Sequence, residues 1–298
     1  MSAAGEPAPR LTVAIPLFRS ECHVERIAEN IRIARGEVPD IEIIVSDRHQ
    51  EDEAVQLLQR RLGDDRRIRF LIASDRIGWV DHYNALLEIA QGQYFMWMPH
   101  DDVFPSGYLT RLCRCLDSNP DAVLAFGELQ VEVEPGSIPP TRPFTVPPLF
   151  QQPWTPINLL KLAVFWNLAI PFRGVFRRAP VVERGLYIKH SNGDLDADRF
   201  WMFGLGLLGR MCFVPGTHCL KHFHAGNTHT KWHYGMSFVF DQVRMPAAYM
   251  RAVDRPRGAV RLIYGCGFLV GALWSLFRLS GLRMPVFLRT AINRLALD

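Results

Sequence analysis

Gln93-Tyr94-Phe95-Met96-Trp97-Met98-Pro99-His100-Asp101-Asp102 carries an apolar, aromatic run straight into two adjacent carboxylates. Residues 94–98 read as a buried strand, a short apolar run bounded by a turn. Neighbouring acids repel each other and are costly to hold beside a core unless positive charge compensates them. A hard divalent cation carrying a phosphorylated ligand supplies that charge and takes oxygen donors. A solvated strand-to-loop turn is the plainer alternative, because Asp is common there.

Working outward from this stretch, apolar runs at 11–16, 41–47 and 68–73 predict three further strands. Apolar residues at helical spacing predict helices over 22–35, 52–62, 81–90 and 106–116. Strand and helix alternate, which is the mark of an α/β parallel sheet with right-handed crossovers. Ligands of such sheets bind beyond the carboxyl ends of the strands. Asp47, Asp75 and the Asp101-Asp102 pair all fall at or just past such ends, so the topology alone brings them to one crevice. Residues 134–156 are dense in proline and read as a long loop or crossover. Beyond them a strongly apolar helix is expected over 157–168, an acidic turn over 192–198, a helix over 199–208, and short strands at 211–214 and 219–223. The expected division is a tail over 1–10, a nucleotide-sugar-binding half over 11–133, an acceptor-binding and catalytic half over 134–235, and C-terminal helices over 236–298.

The 298 residues, 48% hydrophobic and 21% charged, suit a folded chain rather than a disordered one. The net charge of +4 is unevenly spread. From Arg251 onward eight arginines face only Asp254 and Asp298, a local charge of +6 that leaves −2 for the rest. A uniformly basic nucleic-acid binder does not look like this, and no nucleic-acid partner is expected. The six cysteines form no CxxC pair and no zinc-ligand spacing, so reduced thiols in a cytoplasmic protein are expected. Residues 1–10 lack an apolar signal region, so export is not expected. Leu17-Phe18-Arg19-Ser20-Glu21 after the first strand contains no glycine, which excludes a dinucleotide fingerprint, and neither a P-loop nor a GxSxG elbow occurs. A nucleotide site must then rest on a metal and side chains.

Three ordered motifs carry a resemblance: Ile15-Pro16-Leu17-Phe18, Val45-Ser46-Asp47 and Pro99-His100-Asp101-Asp102-Val103-Phe104-Pro105. Asp198-Arg199, Leu207-Leu208-Gly209-Arg210 and Leu220-Lys221-His222-Phe223-His224 extend it. Over roughly residues 11–228 the chain resembles a family-two glycosyltransferase of the GT-A fold, in a bacterial branch whose acidic motif reads His-Asp-Asp. The resemblance implies a Rossmann-like mixed sheet flanked by helices, with a helical C-terminal segment. It implies that Pro16 and Phe18 border the base and ribose of a nucleotide-sugar and that Asp47 accepts a hydrogen bond from the base. Asp75 and Arg76 would contact the nucleotide, His100 would sit beside it, and Asp101 and Asp102 would hold the ribose and a divalent metal. His224 would complete the shell of that Mn2+ or Mg2+, and Asp198 would be the base that activates the acceptor hydroxyl, with Asp194 and Asp196 as alternatives. One departure stands out: the common motif is Asp-x-Asp-Asp, and Pro99 replaces its first carboxylate.

The implied activity is inverting transfer from a nucleoside-diphosphate sugar, UDP first among the carriers, to a saccharide or lipid-linked acceptor in polysaccharide, O-antigen or glycolipid assembly. A sugar-nucleotide nucleotidyltransferase and a degenerate, non-catalytic nucleotide binder are the alternatives. His218, His222, His224, His229 and His233 invite a zinc reading without showing its ligand pairs; of the tryptophans, Trp232 is the candidate for ligand contact. Residues 262–277 carry no charge and lie between Arg261 and Arg278. That run is short for a bilayer span and suits a helix in the membrane interface, at the inner face of the cell membrane. A helix hairpin buried on the catalytic domain or in a homodimer is the alternative.

Overall fold

A computed structural model of the chain describes residues 8–48, 53–72, 77–137, 144–166, 170–224 and 235–280. The expectations for Asp75, Arg76, His229, Trp232 and His233 fall outside these residues.

β1 (Leu11–Leu17) and β2 (Ile41–Asp47) are buried at every position, as strands covered on both faces must be. Their polar exceptions are paired: Thr12 Oγ1 donates to Glu42 at 2.6 Å, and Arg69 donates to the other Glu42 oxygen at 2.7 Å. α1 (Val24–Glu37) buries Val24, Ile27, Ala28, Ile31 and Ala34, a single stripe that lies on the sheet. α2 (Ala54–Leu62), β3 (Ile68–Ile72), α3 (Trp79–Ile89), β4 (Tyr94–Trp97) and α4 (Tyr108–Ser118) continue the alternation read from the sequence.

The second part adds β5 (Ala122–Val133), α5 (Pro156–Phe165), β6 (Val175–Arg177), α6 (Arg178–Val182), α7 (Ala197–Leu208), β7 (Arg210–Phe223), α8 (Met236–Val253) and α9 (Ala259–Ser280). One seven-stranded sheet runs through the whole in the order β3-β2-β1-β4-β6-β5-β7. β1 to β4 are parallel; β6 is antiparallel to both β4 and β5, and β5 is parallel to β7. β1 lies between β2 and β4, so the chain leaves it in both directions. That reversal opens a crevice at the strands' carboxyl ends.

Two details depart from the sequence reading. No strand is expected over 122–133, yet β5 is twelve residues long. The two short strands expected near 211–223 are one strand of fourteen residues. β5 and β7 pair along their length across a register shift between Phe126 and Glu128. Gly127 sits in that irregularity, where a Cβ would lie 2.2 Å from the Thr217 carbonyl oxygen, so only glycine allows the strands to approach there.

An aromatic cluster joins the two parts of the sheet. Trp97, at the end of β4, stacks on Phe172 at 5.2 Å and meets Trp201 of α7 edge-on at 5.0 Å. Phe176 of β6 packs against both tryptophans. Such pairs contribute about 0.5–1.5 kcal/mol each beyond their buried area. Trp97 precedes the acidic loop, and Trp201 lies one turn beyond Asp198, so the cluster sets these two segments in one frame.

Candidate active site

The loop after β4 is clamped from three sides. The Asn30 side chain on α1 donates to the Asp102 carbonyl at 2.9 Å and accepts from the Phe104 N–H at 3.1 Å. Arg26 donates to the Asp101 carbonyl at 3.0 Å. Val103 exchanges two 2.9 Å backbone bonds with Leu220, which ties the loop to β7.

Within this clamp the two acids have different surroundings. Asp102 is fully buried, and one of its oxygens accepts from Arg173 Nε at 2.5 Å. The other accepts from the His222 backbone N–H at 3.4 Å. Burial would lower the Arg173 pKa, but the Asp102 carboxylate outweighs it and holds the guanidinium firmly charged. With both oxygens engaged inside the sheet, Asp102 is placed as the anchor of the loop rather than as an open ligand. Asp101 faces the other way, toward His224 Nε2 at 3.3 Å. Burial alone would raise its carboxyl, but the His224 hydrogen bond, with His100, Lys221 and Arg173 nearby, holds it well below the usual carboxylate range.

Asp101 and His224 are an oxygen and a nitrogen donor side by side, a set that suits Mn2+. Among the described residues no group of three His, Cys, Asp or Glu forms a self-contained metal cage. A two-donor edge fits a cation whose remaining positions are filled by substrate phosphates and water. The residues present therefore fit a shared cation.

Three imidazoles gather at this edge. His23, in the short turn Glu21–His23 after β1, packs its ring against His100 at 5.4 Å and His224 at 5.3 Å. Burial, then the neighbouring His100, pushes the His23 pKa down to about 4, so it is neutral at physiological pH. His100 Nδ1 lies 3.2 Å from the Pro16 carbonyl, joining the acidic loop to the end of β1.

Pro16, Phe18 and Asp47 lie together at the ends of β1 and β2, where Leu17 is in register with Asp47. Asp47 is 2% exposed. Arg48 lays its guanidinium over the Phe18 ring at 4.3 Å, and its Nε is buried without a hydrogen-bond partner. Burial lowers the Arg48 pKa against the opposing pull of Tyr83 and Asp47. Beneath them His82 and Ser46, both buried, join α3 to β2 at 2.9 Å.

Asp198 stands in the first turn of α7, half-buried, with Oδ1 accepting from the Arg199 N–H at 2.8 Å. Burial, then the charge of Asp196, raises its carboxyl above the ordinary range. A carboxylate raised in this way is a stronger base. Asp196 and Asp194, the alternatives, are occupied elsewhere: Asp196 pairs with Arg199 at 3.3 Å, and Asp194 with His190 at 3.0 Å. His190 also meets Asp81 of α3 at 3.0 Å. Asp241 of α8 accepts from the Asn192 N–H at 2.7 Å and so pins the same loop. Burial and then Arg173 lower the Lys221 pKa, while Asp102, Asp101 and Asp198 pull it upward.

Arg173, His23, Asn30, Arg48 and Lys221 were not singled out from the sequence. Arg173 ends the apolar run Ile170-Pro171-Phe172, and a lone cation so placed is a signal that it meets a buried anion. Asn30 sits on the apolar stripe of α1 and gave a similar sign. Lys221 lies inside the motif over 220–224, and His23 and Arg48 had no such sign.

Residues 12–182 match the family description Glycosyl transferase family 2. The "GalNAc(5)-diNAcBac-PP-undecaprenol beta-1,3-glucosyltransferase" of Campylobacter jejuni is 28% identical over 127 residues, 42% of this chain and 40% of that protein. An uncharacterized protein of Mycobacterium tuberculosis is 27% identical over 124 residues, 42% of this chain and 37% of that one. The chain thus matches less than half the length of these curated relatives. Two solved structures share the fold: S. aureus TarS 1-349 in complex with UDP-GlcNAc, with a TM-score of 0.66 at 13% identity over 90% of this chain and 73% of that one; and the mannosyltransferase PcManGT from Pyrobaculum calidifontis in complex with GDP-Man and Mn2+, with a TM-score of 0.57 at 16% identity over 98% and 81%. With the mixed sheet and its crevice already described, these matches identify the chain as a member of glycosyl transferase family 2, with the GT-A fold.

Proposed function

We propose that the enzyme transfers a sugar, with inversion, from a nucleoside-diphosphate sugar to an acceptor hydroxyl. The observation that carries this reading is Asp101 beside His224 at 3.3 Å, in a loop that follows β4 within the stretch matching glycosyl transferase family 2. Asp47, Phe18, Pro16 and His100 border the nucleotide, with Asp75 and Arg76 as further contacts. Asp101 and His224 would hold the Mn2+ or Mg2+, while Asp102 keeps the loop in place through Arg173. When bound, that cation supplies positive charge to the diphosphate that leaves. Asp198 takes the proton from the acceptor hydroxyl. The freed oxygen attacks the anomeric carbon as its bond to the diphosphate breaks, and the nucleoside diphosphate departs. Lys221 would supply further positive charge to the leaving diphosphate.

UDP is the leading carrier, supported by the UDP-GlcNAc and UDP complexes of TarS; GDP-Man in PcManGT keeps guanosine as the alternative. A lipid-linked saccharide is the acceptor class suggested by the name of the Campylobacter relative. Six free cysteines agree with a cytoplasmic enzyme, and nearness to the membrane suits a lipid-linked acceptor. The test is a thermal-shift screen of UDP-, GDP-, dTDP- and CMP-linked sugars with and without Mn2+. One nucleotide is expected to raise Tm, and more so with Mn2+, because binding stabilises the folded state by mass action. No shift with any of them at millimolar concentration sinks the donor assignment.

A further inference from the structure

α9 has two apolar faces, and the protein uses one of them. Tyr264 and Phe268 meet Phe203 of α7 edge-on, with ring centroids 5.6 and 5.0 Å away. A Cβ at Gly267 would lie 2.6 Å from the Leu160 side chain of α5, and one at Gly271 3.1 Å from Val164. Glycine at these positions lets the helix lie close against the body. On the opposite side Leu262, Cys266, Leu269 and Leu273 recur at spacings of four, three and four, one stripe of a helix. All four are exposed, Leu262 at 71%. By length and composition 259–277 is apolar enough to cross a bilayer. Its inward face is held by α5 and α7, however, so the helix runs along the surface of the enzyme.

Charge identifies what the outward stripe meets. A surface pocket of about 500 Å³ at the turn between α8 and α9 is lined by Arg184, Val253, Asp254, Arg255, Pro256 and Arg257. Its single acid, Asp254, is paired with Arg257. It shares no lining residue with the catalytic cleft. Arg251 and Arg261 are exposed on either side of this turn, and the chain from Arg251 onward carries +6. A second copy docked through the same stripe would set like charge against like charge. A surface of anionic headgroups neutralises that charge while its acyl boundary takes up the leucines. We propose that the outward face of α9, together with the arginine-lined pocket at its start, docks the enzyme in the plane of a bilayer containing anionic phospholipid. This reading is independent of the transfer chemistry and needs neither donor nor acceptor.

Flotation of the full chain with vesicles tests it. Vesicles of phosphatidylcholine and phosphatidylglycerol in equal parts are expected to carry the protein, pure phosphatidylcholine far less, and high salt to release it. Replacing Arg255 and Arg257 with serine is expected to weaken binding to the mixed vesicles about fivefold per arginine. The variant Leu262→Glu/Leu269→Glu/Leu273→Glu, whose positions touch no core, is expected to fall to the background seen without vesicles while its circular dichroism and Tm stay those of the parent. Light scattering of both proteins without lipid is expected to give monomers. Wild-type protein that stays with neither vesicle, or a triple variant that floats like the parent, overturns the proposal. So does a parent dimer that the triple variant dissolves, which would give the face to a second copy.

Discussion

The closed junction around Asp102 and the open edge around Asp101 are built from adjacent residues, yet they obey opposite rules. At the junction all three Asp102 acceptors are taken: Arg173 and the His222 N–H meet its carboxylate oxygens, and Asn30 meets its carbonyl. At the edge Asp101 has His224 at 3.3 Å, and the His23 ring packs against His224. A buried arginine makes one acid a scaffold, while the other, beside a histidine, is the one proposed to meet the ligand. The same side chain serves either purpose, according to what faces it.

Mutation can break this contrast. The largest effect is expected for Arg173→Met, which strands a buried carboxylate. It should destabilise by about 3–5 kcal/mol in urea unfolding, and Asp102→Leu in the same chain should recover much of the loss. Unchanged stability in Arg173→Met would falsify the scaffold role. Asp101→Asn should do the reverse: transfer falls by about a hundredfold or more, and Mn2+ no longer adds to the thermal shift by donor, while Tm without ligand stays near the parent value. A fall in Tm as deep as that of Arg173→Met would erase the distinction between the two acids.

Asp198 sharpens the contrast as a third acid, half-buried, where burial and Asp196 outweigh the pull of Arg173 and Arg199. Its raised pKa means that the folded state favours the protonated form, so its stabilising contribution is present in acid and is lost as pH rises through the folded value. At neutral pH the ionised carboxylate is therefore a small burden on the fold. Asp198→Asn is expected to abolish transfer yet raise Tm slightly at neutral pH, with the gain vanishing below the ordinary carboxylate range. Transfer by the wild type should fall on the acid side at a pH above that range. A Tm loss at neutral pH would show that the carboxylate is structural.

The parallel half of the sheet was legible because each strand there is a buried apolar run punctuated by a helix, a local pattern. Leu11–Leu17 and Ile41–Asp47 could be read residue by residue, and so could the acids at their ends. β5 escaped notice because its outer half, from Gln130 to Val133, leaves the core, and its pairing partner lies some ninety residues onward, in β7. Its pattern makes sense only beside that partner. The motif residues of the site were visible through resemblance; their different fates were not. Nothing in the words Asp101-Asp102 says that Arg173 waits for the second and His224 for the first, since both partners arrive from distant strands and turns. His23 and Lys221 were hidden for the same reason. Their chemistry comes from neighbours, and a neighbour brought in by topology leaves no mark in the local sequence.

The edge-on contact of Trp97 and Trp201 also has a practical use. Two indoles held 5.0 Å apart at 71° couple their excited states, so the pair should give a signed band in near-ultraviolet circular dichroism. One ring reports on β4 and the other on α7. Any ligand that tilts that helix against the strand would write its movement into the spectrum, with no label attached.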